Sequence, residues 1–133
     1  MPLLLRVHGG LMVLAFAIML TGFIVARYMK PKRWWLKLHK TAEITGACVI
    51  CAALIAIILQ ITLAGRSHFE VPHAYVGAVI AILSLITLTL GFMQFKIRGA
   101  AEKLRNFHRW SGRITLLLIF INILVGLDLI GVI

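Results

Sequence analysis

Residues 72–95 read PHAYVGAVIAILSLITLTLGFMQF and hold no Asp, Glu, Lys or Arg. A helix rises about 1.5 Å per residue, so a run of this length crosses the ~30 Å hydrocarbon layer of a bilayer. Pro72 suits a first helical turn, and the run lacks the alternation of polar and apolar residues that a barrel strand needs. Working outward, three more such runs lie at 38–64, 7–28 and 107–131. Together the four take up nearly all of the 133 residues, of which 62% are hydrophobic and only 14% charged. A soluble domain of this size has too little interior to hide that much apolar surface. The 7–28 run is too long for a signal-peptide core and lacks a small-residue cleavage site, so it reads as a retained helix. Pro31, Gly65 and Gly99 stand where the first three runs stop. The expected fold is all-α: an integral membrane four-helix bundle, antiparallel and up-down, forming one domain over 1–133.

The net charge of +10 invites a nucleic-acid reading, but its distribution argues otherwise. Arg27, Lys30, Lys32, Arg33, Lys37 and Lys40 surround the first connection, and Lys96, Arg98, Lys103, Arg105, Arg109 and Arg113 surround the third, against a lone Glu102. The second connection offers Arg66 against Glu70, the N-terminal tail Arg6, and the C-terminal end Asp128. Basic residues flanking membrane helices mark the cytoplasmic side. Connections one and three are therefore expected inside, with both termini and the loop after Gly65 outside. The excess is a topology signal; membrane lipid is the expected partner, and no nucleic acid is.

His8, His39, His73 and His108 each open one of the four runs, at spacings of 31, 34 and 35 residues. Those spacings amount to one crossing plus one turn, so successive histidines fall on alternate sides. His8 and His73 share one side, His39 and His108 the other. Two histidines facing each other between helices make a pair of axial ligands, which points to two haem b groups, one near each membrane face. A lone interfacial histidine is commonly just a polar side chain at headgroup level. Four at matching depth, paired by side, are harder to explain that way, because ionisable groups within membranes are costly. All four lie near helix N-termini, whose partial positive charge suits haem propionates and neutral imidazoles. Gly77 and Gly112 follow His73 and His108 by four residues, and Gly46 follows His39 by seven, so each lies near the face of its ligand. A missing side chain there would give a flat macrocycle room.

Arg27, Arg109 and Arg113 lie beside the His39/His108 end, where binding propionates or an anionic donor and simple interfacial snorkelling both account for them. Glu43, one turn after His39, has two readings as well: partner to the histidine or a proton relay, or ion pair with Lys40 or a facing arginine. Asn122 and Gln60 sit in apolar runs and are read as bridges between helices. Cys48 and Cys51 form a Cys-x-x-Cys followed by Ala52 instead of His, which excludes covalent haem attachment and leaves them as small core residues. His68, in the outer loop, reads as an ordinary loop residue, with contact to a metal substrate as its functional alternative. No nucleophile–base arrangement, phosphate loop, or flavin or nicotinamide motif is present.

The run HGGLMVLAF from His8, with Gly22 and then Ala26-Arg27, resembles the opening of the cytochrome b561 domain of DOMON-linked and ferric-reductase membrane proteins. LHKTAEITG from Leu38 resembles that family's second-helix motif, and HAYVGAVIAIL from His73, with Gln94 beyond it, the third. NFHRWSGRI from Asn106 and INILVGL from Ile121 are similar to the fourth. The resemblance covers nearly the whole chain. It implies two bis-histidine b haems in four core helices, electron transport across a membrane, and the same four ligands that spacing picks. It also implies ascorbate as an inner donor, with ferric chelate or monodehydroascorbate as outer acceptor. Glu43 stands where the family usually has glutamine, Leu20 where a proline often kinks the first helix, and no DOMON domain or flanking helix accompanies the core.

The expected function is that of a dihaem cytochrome carrying electrons from a cytoplasmic-side donor to an outer acceptor. Whether it acts as an enzyme, a transmembrane oxidoreductase of the ferric or monodehydroascorbate reductase type, is left open. Two alternatives stand beside it: a small haem-binding or quinol-linked subunit of a larger redox complex docked on a partner redox protein, and a haem-free four-helix assembly subunit. The charge pattern makes one prediction. Single cysteines engineered near Pro31 and near Ser67, in a background lacking Cys48 and Cys51, should label from opposite sides of intact cells. Only the site near Ser67 should react from outside; external labelling near Pro31 would reverse the topology.

Overall fold

The computed structural model describes residues 2–132. Its elements are α1 (Leu3–Tyr28), α2 (Trp35–Leu63), α3 (Pro72–Lys96) and α4 (Ala101–Leu129), with a single 3₁₀ turn at Arg98–Ala100 leading into α4. No strand occurs among the described residues. All four helices are long and apolar enough to cross a membrane, and consecutive helices pair antiparallel, so the architecture is an up-down membrane four-helix bundle.

Helices α1, α2 and α4 start before the apolar runs that mark them, at Leu3, Trp35 and Ala101 instead of 7, 38 and 107. Their first turns hold Leu4, Arg6, Lys37, Ala101, Glu102 and Lys103, good helix formers of which several are too polar for hydrocarbon. Hydropathy marks where the chain enters the bilayer; propensity carries the helix further into the interface. The stop at the end of α2 is local. Gly65 adopts φ +65°, Arg66 N–H donates to the Ile61 carbonyl at 3.2 Å, and Gly65 N–H donates to Thr62 at 3.1 Å. This pair of bonds is the Schellman closure that a left-handed glycine permits. In the loop beyond, Arg66 and the Ser67 amide hold the exposed Glu70 carboxylate, whose pKa they lower.

Contact is closest within two hairpins, α1 with α2 and α3 with α4; α1–α4 and α2–α3 meet more sparsely, and α1–α3 and α2–α4 face across the diagonals. In lipid no hydrophobic force drives helices together, so close approach through small residues must supply the packing. The α1–α2 seam is made that way, from Ala15, Gly22, Ala42, Gly46, Ala47 and Ala53, all buried. The α3–α4 seam is more polar. Ser84 and Thr115 are buried and turn their hydroxyls back onto the carbonyls of Ile80 and Ser111, both at 2.8 Å. Large side chains such as Ile55, Leu63, Ile82 and Leu117 point outward, where lipid covers them.

A side chain at Gly46 would collide with Met19 and meet the Ala15 carbonyl at 3.6 Å, whereas one at Gly9 meets nothing within 4 Å. Gly46→Leu should therefore cost about 1–3 kcal/mol of stability. Gly9→Leu should change it by less than about 0.5 kcal/mol. Unfolding titrations with sodium dodecyl sulfate in mixed micelles measure both; equal midpoints for the two variants would contradict the packing assigned to the α1–α2 seam.

Candidate functional site

One histidine stands near each end of each hairpin, and the two hairpins turn those ends toward each other. The ring centres of His8 and His73 are 6.2 Å apart with planes at 89°, and those of His39 and His108 are 6.0 Å apart with planes at 73°. Each pair lies on a diagonal, α1 to α3 or α2 to α4, so each bridges the hairpins. A metal–imidazole bond is about 2 Å and the ring centre lies roughly 1 Å behind the nitrogen, so two rings on opposite sides of one ion have centres roughly 6 Å apart. Both pairs have that separation. No cluster of three or more His, Cys, Asp or Glu side chains able to hold a metal occurs among the described residues. Two imidazoles alone make an incomplete cage, so a metal between them would need its remaining ligands from a group of its own, such as a porphyrin.

The other ring nitrogens decide which atom faces the gap. His8 Nδ1 donates to the Ala53 carbonyl at 2.9 Å, His39 Nδ1 to Gly22 at 3.0 Å, and His108 Nδ1 to Thr87 at 2.9 Å. Because a carbonyl only accepts, the proton belongs on Nδ1 and the Nε2 lone pair is free for a metal. These bonds are reciprocal within the hairpins. His8 and His39 are 31 residues apart, as are Gly22 and Ala53; His73 and His108 are 35 apart, as are Thr87 and Asn122. In an antiparallel pair equal separations mean one register, so Asn122 is the position opposite His73.

Glycines open the faces on which the α3 and α4 rings lie. A Cβ at Gly91 would stand 3.0 Å from His108 Cε1, and one at Gly126 would stand 2.9 Å from His73 Cε1. Gly91 follows Thr87 by one turn and Gly126 follows Asn122 by one turn. The glycine thus removes the side chain that would shield the preceding carbonyl. Neither glycine was selected by its spacing along its own helix from a histidine, because each serves a ring on the neighbouring helix. Hairpin register would have found both. Of the glycines that spacing selects, Gly46 lies at the α1–α2 seam; a Cβ at Gly77 would stand 3.6 Å from the Asn122 amide nitrogen, and one at Gly112 would stand 3.6 Å from the Thr87 methyl.

The His39/His108 end opens into a cavity of ≈ 520 Å³ lined from all four helices. Arg27, Arg109, Arg113 and Gly112 line it, joined by Lys30, Arg105 and Trp35. Trp35 stacks on His39 with ring centres 6.5 Å apart. Glu43 lines the cavity too, its Oε1 3.5 Å from His39 Nδ1, while Lys40 sits over the Phe95 ring at 4.3 Å. Glu43 therefore faces the histidine, not Lys40. Five cations around one apolar cavity suit an anionic, flat guest. Cys48 and Cys51, expected as small core residues, are instead exposed on the lipid-facing side of α2, and His68 is exposed with its Nε2 3.4 Å from Thr62 Oγ1.

The family model described as eukaryotic cytochrome b561 matches residues 5–130. The chain is 34% identical to a cytochrome b561 and DOMON domain-containing protein of Arabidopsis thaliana, over 90% of this chain and 30% of that protein. It is 26% identical to ferric-chelate reductase 1 of Bos taurus and likewise to that of Homo sapiens, each over 97% of this chain and 23% of the relative. The chain thus spans less than a third of the length of these curated relatives. No solved structure matches it.

The ring geometry predicts tautomers. Side-chain ¹⁵N spectra of the histidines should show His8, His39 and His108 protonated at Nδ1. Nε2–H tautomers at these positions would contradict the carbonyl bonds.

Proposed function

The chain belongs to the cytochrome b561 family, and we propose that it is a transmembrane b-type cytochrome holding two haems, one between His8 and His73 and one between His39 and His108. The observation that carries this reading is the pair of histidine couples, one toward each end of the bundle, each at the separation that two rings take across one metal. A bis-histidine b haem supplies one-electron oxidation and reduction at an iron with no open coordination position.

The chain's own residues do the rest. The carbonyls of Ala53, Gly22 and Thr87 hold three of the rings with Nε2 toward the gap. Gly91 and Gly126 give the rings of His108 and His73 their room. At the His39/His108 end, Arg27, Arg109 and Arg113, with Lys30 and Arg105, would hold the propionates and keep that end attractive to small anions. The basic residues of connections one and three support a cytoplasmic position for this end and an outer one for His8/His73. Ferric-chelate reductase 1 is among the relatives, which favours ferric chelate as outer acceptor, and the cationic inner cavity favours a small anionic reductant of the ascorbate class as donor. With both groups bound, electrons would pass from the inner end to the outer end along the bundle axis.

Haem content tests the assignment by end. His39→Ala should take the chain from two haems to one, and Gly91→Val should do the same by pushing the His108 ring off the Thr87 carbonyl. His73→Ala should remove the other haem. Quantified haem per chain with a visible redox difference spectrum reads all three. Loss of both haems in every variant that still folds, or unchanged content in His39→Ala, would overturn the pairing.

A further inference from the structure

Three of the four rings are held by backbone carbonyls, and the fourth is not. His73 Nδ1 is buried without a hydrogen-bond partner. The register that sets Thr87 against His108 sets Asn122 against His73. Asn122 is 4% exposed, a polar side chain deep in an apolar helix. Its Nδ2 lies 3.6 Å from where Gly77 would carry a Cβ, and Gly77 is one turn along from His73 on the same helix. The amide therefore occupies the space that this glycine leaves beside the ring. A buried imidazole N–H without an acceptor is costly, and a carboxamide free to turn about its own torsions reaches farther than a backbone carbonyl fixed in its helix.

We propose that Asn122 is the positioning residue of His73: its side-chain carbonyl accepts the Nδ1 proton, fixes the rotation of the ring, and sets the basicity of Nε2 toward the group shared with His8. The inference rests on the proposed haem ligation by His8 and His73. It assigns the two ends of the bundle different means of adjustment. At the His39/His108 end both rings donate to main-chain carbonyls, which substitution leaves in place, with the Glu43 carboxylate a further neighbour 3.5 Å from His39 Nδ1. At the His8/His73 end one partner is a side chain, so its chemistry adjusts the reduction potential of that end alone. An acceptor on Nδ1 raises ligand basicity and favours the oxidised iron. Removing the acceptor should favour the reduced iron, and a negatively charged acceptor should favour the oxidised one more strongly.

Spectroelectrochemical titration of the full dihaem chain tests this, with the wave that survives in His39→Ala identifying the His8/His73 end. In Asn122→Leu that wave should shift its ferrous-to-ferric ratio about tenfold toward ferrous at fixed potential, which is about 59 mV upward for one electron. Asn122→Asp, of the same shape, should move it downward, and the other wave should stay still in both. Gly77→Val should crowd the amide and move the wave in the same direction as Asn122→Leu, while Gly77→Ala, at ordinary contact distance, should leave it in place. If Asn122→Leu loses the haem at that end, Asn122→Asp decides. A loaded Asp variant with a lowered wave supports the proposal, and a loaded one with an unshifted wave overturns it, leaving Asn122 as a bridge between helices. A wild-type chain that binds no haem at the His8/His73 end overturns the ligation reading, and the role of Asn122 falls with it.

Discussion

The proposed ligation sets one constraint on which the rest depends: imidazole rings from two different hairpins must reach a common point with the correct nitrogen forward. Lipid contributes no hydrophobic force to bring the hairpins together, so the rings have to be aimed before the hairpins meet. Hydrogen bonds from Nδ1 to carbonyls of the neighbouring helix do this for His8, His39 and His108. Each bond stays inside its own hairpin, so α1–α2 and α3–α4 can each fold with its rings already oriented. Where contact between the hairpins is looser, the cavity of ≈ 520 Å³ opens at the His39/His108 end.

That division of labour explains the two kinds of seam. Between α1 and α2 small residues bring the backbones close enough for Ala53 and Gly22 carbonyls to meet histidine rings. Between α3 and α4 the same approach is reached at two points, where Gly91 and Gly126 clear a face for a ring. Polar side chains buried there, Ser84, Thr115 and Asn122, satisfy or complement groups that hydrocarbon would leave stranded. Positive charge is gathered at the His39/His108 end, where arginines from α1 and α4 surround the cavity.

Much of the fold was legible in the sequence because hydropathy reports bilayer crossings directly: four apolar runs, four helices. Their N-terminal limits were less legible, since the first turns of α1, α2 and α4 hold interfacial residues that hydropathy discounts and helix propensity does not. The histidines stood out through spacing, and alternate crossings bring His8 to His73 and His39 to His108. What surrounds them was not legible from spacing along one helix. Gly91, Gly126, Gly22 and Ala53 serve rings on the neighbouring helix, and only the antiparallel register, equal separations of 31 and of 35 residues, relates them. Asn122 stands out in the sequence only as a polar residue in an apolar run, which suggests a bridge between helices. Its place opposite His73 is a fact of packing.

The central claim is that each diagonal of this bundle holds one bis-histidine haem. The most direct measurement is haem b per chain in the purified protein, taken with an electron paramagnetic resonance spectrum of the oxidised form. The account requires two haems per chain, both low-spin, because two imidazoles occupy both axial positions of each iron. A single haem per chain, or a dominant high-spin signal from an iron with an open position, would contradict it.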